Sequence, residues 1–349
     1  MKNTLIYLTL LSMFGLTACK SSSVGCLKGF TAITIDTLYT SKISIRAIAF
    51  DNDTIYYGGS NKKLGFVSPK AKYEKQVTSV PHDFEFRSIA QTSKYVFFLS
   101  IGSPALLYRY DRSFKRSELV YEEKHEKVFY DCMLFWNDKE GIAIGDPTDT
   151  CLSIIITRDF GKTWSKIPCT QLPKVVEGEG AFAASNTNIC IKGTSCWVVS
   201  GGKQSRVFYS NDKGNTWQVF ATPIVQGETM TGIFTADFYD EKIGFIAGGN
   251  YEKPDQNFQN KALTFDGGKT WNLVGENIGF GYASCVQFVP NSKGKSLVSI
   301  GANGLFYSND YGNNWKQFDV DSSLYTLRFI NSHQAIAAGK DKIIRISFK

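Results

Sequence analysis

Apolar residues in this chain fall into short runs, many of them ending in glycine, and no stretch sustains a helical period of useful length. Seven runs share one form: Ile55–Gly59, Phe97–Gly102, Ile142–Gly145, Trp197–Gly201, Phe245–Gly248, Leu297–Gly301 and Ile336–Gly339. Each follows a second apolar segment of strand character, as in Arg46–Phe50, Phe234–Phe238 and Tyr325–Phe329. Paired strands recurring in this way predict one repeat domain rather than several globular ones. With 349 residues, 43% of them hydrophobic and 14% aromatic, the chain can bury the core that such a domain needs.

A second pattern recurs on top of the first. Ser210-Asn-Asp212-Lys-Gly214-Asn-Thr216-Trp217 returns as Thr157–Trp164, Thr264–Trp271 and Ser308–Trp315, with the same Asp, Gly and Trp positions each time. An Asp carboxylate accepting backbone N–H groups, a Gly at positive φ and a Trp opening the next strand describe a hairpin turn. Asp159, Asp212, Asp266 and Asp310, with Trp164, Trp217, Trp271 and Trp315, are therefore read as structural. Successive Asp residues lie 53, 54 and 44 positions apart, the length of a four-stranded propeller blade with variable loops.

The octapeptide resembles the Asp-box of BNR-repeat β-propellers. Together with Gly145-Asp146-Pro147, Gly178–Ser185, Gly248–Tyr251 and Gly281–Val286, it resembles more narrowly the propellers related to photosystem II stability and assembly factors. The likeness is to an exported or lipid-anchored bacterial branch and covers roughly residues 40–349. The seven markers and this resemblance imply an all-β fold, a seven-bladed β-propeller with Asp-box hairpins. The last blade runs out of chain after three strands, so Thr31–Tyr39 is expected to close the ring by pairing there.

Lys2 precedes the apolar run Leu5–Leu16, which is too short to span a bilayer. It leads into Leu16-Thr17-Ala18-Cys19, which resembles a bacterial lipobox. The expected organisation is a signal peptide over residues 1–18, a lipidated Cys19 with a flexible tether over 19–29, and the propeller over 30–349. Such a protein is held at the periplasmic or outer-membrane face of a cell envelope by its lipid anchor only. Loss of Lys2 takes the formal charge from +7 to +6, and the remaining charge forms no basic run, which argues against a nucleic-acid partner. Export permits disulfides. Cys151 and Cys169 flank the first Asp-box hairpin, and Cys190 and Cys196 bracket Lys192-Gly193; each pair is either a bridge or two small buried hydrophobes.

Relatives in this branch often carry the labels oxidoreductase or glycosyl hydrolase. Gly201-Gly202-Lys203-Gln204-Ser205 lies between two predicted strands, where a dinucleotide site needs a strand-to-helix turn, and no Cys-x-x-Cys occurs. His82, His125 and His333 fall in unrelated blades, and each Asp-box offers one carboxylate, so neither metal nor cofactor is expected. Asp-box propellers include sialidases, which fix a sugar carboxylate with three Arg. Here Arg46, Arg87 and Arg206, with Asp146, Glu177, Glu179, Asn250, Tyr251 and Tyr282, form a candidate site at a channel mouth opposite the Asp-boxes. Phe86-Arg-Ser-Ile-Ala90 is only a partial match to the sialidase Phe-Arg-Ile-Pro signature. The first expectation is a monomeric, non-enzymatic binding or assembly scaffold for an envelope protein complex or a glycan. The alternative is a sialidase-like glycoside hydrolase acting at the mouth.

Overall fold

The computed structural model describes residues 29–349 except 71–72, 79, 81–83 and 320, so the expected signal peptide, Cys19 and residues 20–28 of the tether lie outside the described residues. What is described is almost entirely antiparallel strand. Four sheets are four-stranded meanders. They begin at Phe86–Gln91 (the second sheet), Tyr130–Phe135 (third), Ile189–Lys192 (fourth) and Cys285–Phe288 (sixth). The fifth sheet, Thr231–Phe238 through Asn272–Leu273, gains two short strands on its inner edge, Gly201–Gly202 and Glu179–Gly180. The remaining sheet has six strands in the order Leu324–Asn331, Gln334–Phe348, Ile33–Asp51, Thr54–Gly59, Leu64–Ser68 and Tyr73–Gln76.

The result is a β-propeller of six sheets, which corrects the expected seven blades. The physical reason is the seam. Ile33 to Thr40 pair with Phe348 to Lys342, while Ile45 to Asp51 of the same strand pair with Gly59 to Thr54. Gln334–Phe348 doubles back at Asp341 (φ 63°), so that the Phe348 N–H returns to the His333 carbonyl at 2.8 Å. Because Ile33–Asp51 pairs with it on one side and with Thr54–Gly59 on the other, the segments predicted as first and last blades share one closing sheet. The innermost strands, Ile33–Asp51, Phe86–Gln91, Tyr130–Phe135, Ile189–Lys192, Thr231–Phe238, Cys285–Phe288 and Leu324–Asn331, touch one another in succession around the ring. Two of them belong to the closing sheet.

No single core fills the molecule. Each pair of neighbouring sheets encloses its own apolar layer: Phe97, Leu99, Tyr130, Met133 and Trp164 between the second and third, and Val298, Leu305, Leu327, Ile344 and Phe348 between the sixth and the closing sheet. The glycines that end the second strands are needed for backbone approach. A Cβ on Gly339 would lie 1.9 Å from the Ser323 carbonyl oxygen, and one on Gly301 2.4 Å from that of Tyr282.

The Asp-box turns tie themselves together and then lean on the sheet before them. Asp212 Oδ1 accepts the N–H groups of Asn215 (3.1 Å) and Thr216 (2.9 Å), and Oδ2 accepts Thr216 Oγ1 (2.7 Å). Trp164 packs edge-on to Phe97 and Phe135, and Trp315 to Phe245 and Phe280. Cys151 and Cys169 form a disulfide with Cα atoms 5.5 Å apart. The second suggested bridge is corrected, for Cys190 and Cys196 are free. Their register is the cause: Cys190 sits opposite Trp197 and Cys196 opposite Ile191, so the two thiols project to opposite faces of their sheet. Cys132 is also a free, buried thiol, and burial pushes it up to about 12, which leaves it unreactive.

The centre of the ring is closed by the segment Ala184–Thr187. Asn186 donates Nδ2–H to the Ile89 carbonyl (2.8 Å) and accepts the Met133 N–H (3.1 Å), while Thr187 Oγ1 donates to Thr235 Oγ1 (2.8 Å). Ser185 Oγ donates to the Ser284 carbonyl at 2.5 Å, and Arg328 donates to the carbonyls of Ser185 (3.1 Å) and Asn186 (2.7 Å). One segment of the fourth repeat thus bonds to the second, third, fifth and closing sheets and to the start of the sixth, and the expected open channel becomes a recess with a floor.

Candidate functional site

The register of the third sheet fixes which end of the ring is which. Gly145 lies opposite Ser153, and Gly141 lies opposite Thr157, the first residue of an Asp-box. Asp146 therefore leaves the sheet at the end away from the Asp-box turns. At this end five innermost strands carry a β-bulge at the same place, and the skipped residues are Arg46, Arg87, Asp131, Phe234 and Tyr325. A bulge leaves one residue out of the ladder and re-aims its side chain. The repeat thus presents a set of aimed side chains around the recess, with different chemistry at each place.

Between the second, third and fourth repeats this end opens into a cavity of about 770 Å3, lined among others by Arg87, Asp131, Asp146, Glu177, Glu179 and Phe182. The loops that build it are set by glycine. Gly145 brings its strand so close to Phe129 that a Cβ would fall 2.2 Å from that carbonyl, and the Asp146 N–H donates to the same oxygen at 2.8 Å. Asp146 Oδ1 in turn accepts the Ala181 N–H (2.9 Å), and a Cβ on Gly180 would sit 2.4 Å from that Oδ1. The Gly178–Ser185 stretch is thereby pinned against Gly145-Asp146-Pro147, two of the stretches singled out in the sequence.

Glu179 is fully buried and held from four sides. Oε1 accepts Ser200 Oγ (2.7 Å) and Arg206 Nε (2.8 Å); Oε2 accepts Arg206 Nη2 (2.6 Å) and the Val176 N–H (3.1 Å). Asp131 is its opposite. It is 0% exposed, yet neither carboxylate oxygen has a hydrogen-bond partner in the protein. Burial raises its pKa well above the carboxylate range, the charge of Asp146 adds to that, and Arg87 and the Ala183 N–H oppose it without reaching it in hydrogen-bond geometry. Asp146 is pushed up to about 6 by burial, against the pull of the Ala181 N–H.

Of the nine candidate residues, Arg87, Asp146, Glu177 and Glu179 line the cavity. Arg206 stands behind Glu179. The remaining four belong to an adjoining patch. Phe182, on the cavity wall, stacks on Phe234 at 3.9 Å; Tyr282, buried, meets Phe234 and Tyr251 edge-on at 4.8 and 5.2 Å. Asn250 caps the next loop by accepting the N–H groups of Glu252 and Lys253. The three arginines do not converge on one point. Arg46 lies over the Tyr325 ring at 4.3 Å and donates to the Ala184 carbonyl, Arg87 pairs with Glu85 at 2.9 Å, and Arg206 is bound to Glu179. Among the described residues no cluster of three or more His, Cys, Asp or Glu is placed to hold a metal ion.

Sequence reasoning overlooked Asp131, Phe234 and Tyr325 as members of the site. They occupy the position of Arg46 and Arg87 in their own repeats, and aligning the first strands on the Phe four residues on in Arg46–Phe50, Asp131–Phe135, Phe234–Phe238 and Tyr325–Phe329 would have raised all three.

Comparison with known proteins agrees with this architecture. Residues 155–166 match the BNR/Asp-box repeat family. No curated protein matches the chain in sequence. Among solved structures it is similar to YCF48 bound to D1 peptide (TM-score 0.62, 15% identity, covering 92% of this chain and 98% of that one). It is similar also to YCF48 from Cyanidioschyzon merolae (TM-score 0.61, 12% identity, 91% and 98% covered) and to a structure of U3-55K (TM-score 0.61, 13% identity, 90% and 98%). Likeness at these identities shows the fold alone. The chain is a β-propeller with Asp-box repeats.

Proposed function

We propose that this protein is a lipid-anchored propeller of a bacterial cell envelope that holds a protein or glycan partner at its recess and does not transform it. The observation that carries this reading is the cavity itself. Its polar groups sit on bulges and pinned loops, its ring centre is closed by Ala184–Thr187, and its best-formed ion pair, Arg206 with Glu179, is taken up within the protein. A structural neighbour, YCF48, is known bound to D1 peptide, which supports a protein partner. The lipobox ending in Cys19 supports the anchor.

Two experiments test it. A photo-reactive residue in place of Tyr251, which is 47% exposed beside the recess, should cross-link a partner in mildly extracted membranes. Absence of any cross-linked protein or glycan would count against the scaffold. Cys19→Ser should move the propeller to the soluble fraction, and a variant that stays with the membrane would refute the anchor. The hydrolase alternative would rest on Asp131 and Asp146, whose raised pKa values suit a proton donor. Turnover of fluorogenic glycosides that is lost in Asp146→Asn would favour it.

A further inference from the structure

The protein carries a formal charge of +7, yet the cavity wall gathers five carboxylates, Asp131, Asp146, Asp149, Glu177 and Glu179, against Arg87 and Lys127. Two of these charges are spent inside the protein. Glu179 is neutralised by Arg206, and Arg87 is paired with Glu85, which lies outside the cavity wall. The balance left facing the space is acidic. A group of acids alone would be an ordinary solvated surface, but Asp131 is not on the surface. It is fully buried, lies on a bulge that takes it out of the strand ladder, lines the cavity, and has no hydrogen bond to either oxygen. A buried carboxyl without a partner in the protein is costly, and one kept at a cavity wall calls for a partner from the cavity side.

Resting on the scaffold reading above, we infer that the cavity receives a protonated basic side chain, an arginine guanidinium by preference, from a peptide segment of the partner, with Asp131 as its principal acceptor and Asp146 beside it. A guanidinium fits for three reasons. Its planar fork offers several N–H donors, matching two acceptor oxygens that have none. It is weakly hydrated for a cation, so it leaves water for a partly enclosed site at lower cost than an ammonium. The wall between the acids is apolar, with Phe129, Phe182 and Met230, and suits the methylene stem of such a side chain. A volume of about 770 Å3 exceeds what one ion fills and accommodates the side chain with its flanking backbone. Nor do the described residues offer three ligands placed for a metal.

The probe is a blocked fluorescent pentapeptide, glycines around a central arginine, measured by anisotropy against the whole mature chain at low ionic strength. Replacing its arginine by citrulline, which keeps the shape and removes the charge, should weaken binding roughly tenfold or more. Asp131→Asn should do the same to the arginine peptide; because Asn keeps the size of a buried carboxyl that burial already drives toward its neutral form, this variant is expected to fold, and its melting curve checks that. Equal affinity for the arginine and citrulline peptides overturns the inference without any variant. Undiminished binding by a folded Asp131→Asn protein overturns it as well. Agmatine binding as tightly as the peptide would make the ligand a small amine, and Ca2+ or Mg2+ displacing the peptide would make the site a metal site; either outcome refutes the peptide assignment. If the Tyr251 cross-link captures a partner whose yield is unchanged by Asp131→Asn, the scaffold stands and the basic side chain falls. If neither partner nor peptide binds, both fall.

Discussion

Glu177, Glu179 and Asp146 lie within one small volume and carry the same formal charge, yet the structure gives them three different jobs. Glu177 is exposed on the rim, Glu179 is a buried knot for Arg206, Ser200 and Val176, and Asp146 pins a loop by one oxygen while its pKa rises. Removing Glu179 leaves the half-buried Arg206 guanidinium only the Lys174 carbonyl, so Glu179→Ala should cost up to about 3 kcal/mol of stability, while Glu177→Ala should stay within about 0.5 kcal/mol. Thermal melts of the two variants decide this, and equal melting temperatures would contradict the assignment. The pH dependence follows from Asp146. Its folded pKa of about 6 lies above the ordinary 3.8, so between those values the native state binds more protons than the unfolded one, and this contribution to stability falls as pH rises through the window. Asp131 acts in the same direction. Asp266 acts oppositely: its turn hydrogen bonds outweigh burial and hold it at about 2, so its contribution is lost as pH falls from about 4 toward 2. Stability should therefore peak on the acid side of neutrality. Asp146→Asn should flatten the fall between pH 4 and 6, by on the order of 1–2 kcal/mol once solvent screening is allowed for. Denaturant titrations across pH measure it; an unchanged slope would mean that Asp146 is not the group responsible. None of these roles was legible in the sequence, because a carboxylate's job is set by partners far along the chain, as Asp146 and Ala181 show.

Elements were far more legible than residues. The Asp-box announces itself because its bonds are local: the acceptor and the N–H groups it serves lie within four positions, so one octapeptide contains the whole device. The glycine-ended strands were legible for a similar reason, since a close backbone approach tolerates no side chain. The bulges were not, because a residue left out of a ladder keeps the composition of a strand and is recognised only from its neighbour's register. Two substitutions separate the parts of the box. Asp212→Ala removes bonds to Asn215 and Thr216 in an exposed turn and should cost about 1–3 kcal/mol. Trp271→Ala empties a nearly buried site between Phe238 and its own turn, where Nε1 donates to the Gly268 carbonyl at 3.0 Å, and should cost about 3–5 kcal/mol. Both should leave the affinity of the folded protein for the arginine peptide unchanged, because the boxes and the recess lie at opposite ends of the sheets. Peptide binding lost in an Asp212→Ala protein that still melts cooperatively would place the turn in the site.

At the scale of the whole molecule, the ring was legible from repeat spacing, whereas the number of sheets was not. Counting strand markers counts repeats, but hydrogen bonding decides where one sheet ends, and at the seam it does not end: the chain's first described strand and its last join two predicted blades into one. That seam also makes the ring's stability depend on pairing between residues some 300 positions apart, the most expensive kind of contact to close and the last one expected to form. Ile346 is 0% exposed in the apolar layer shared with the sixth sheet, and its backbone lies opposite Ile35 in the closing pair. Ile346→Asp would bury an unpaired charge there. Deleting residues 344–349 would leave Ile33 to Thr37 without partners and expose two strand edges. If closure holds the ring together, calorimetry of the deletion should show a lower and broader transition. Backbone exchange should then accelerate first in Ile33–Tyr39 and in the sixth sheet's face, with the third and fourth sheets protected longer. Uniform acceleration through all sheets would show instead that the propeller opens as a single unit, and an unchanged melting temperature would show that the seam contributes little to holding it shut.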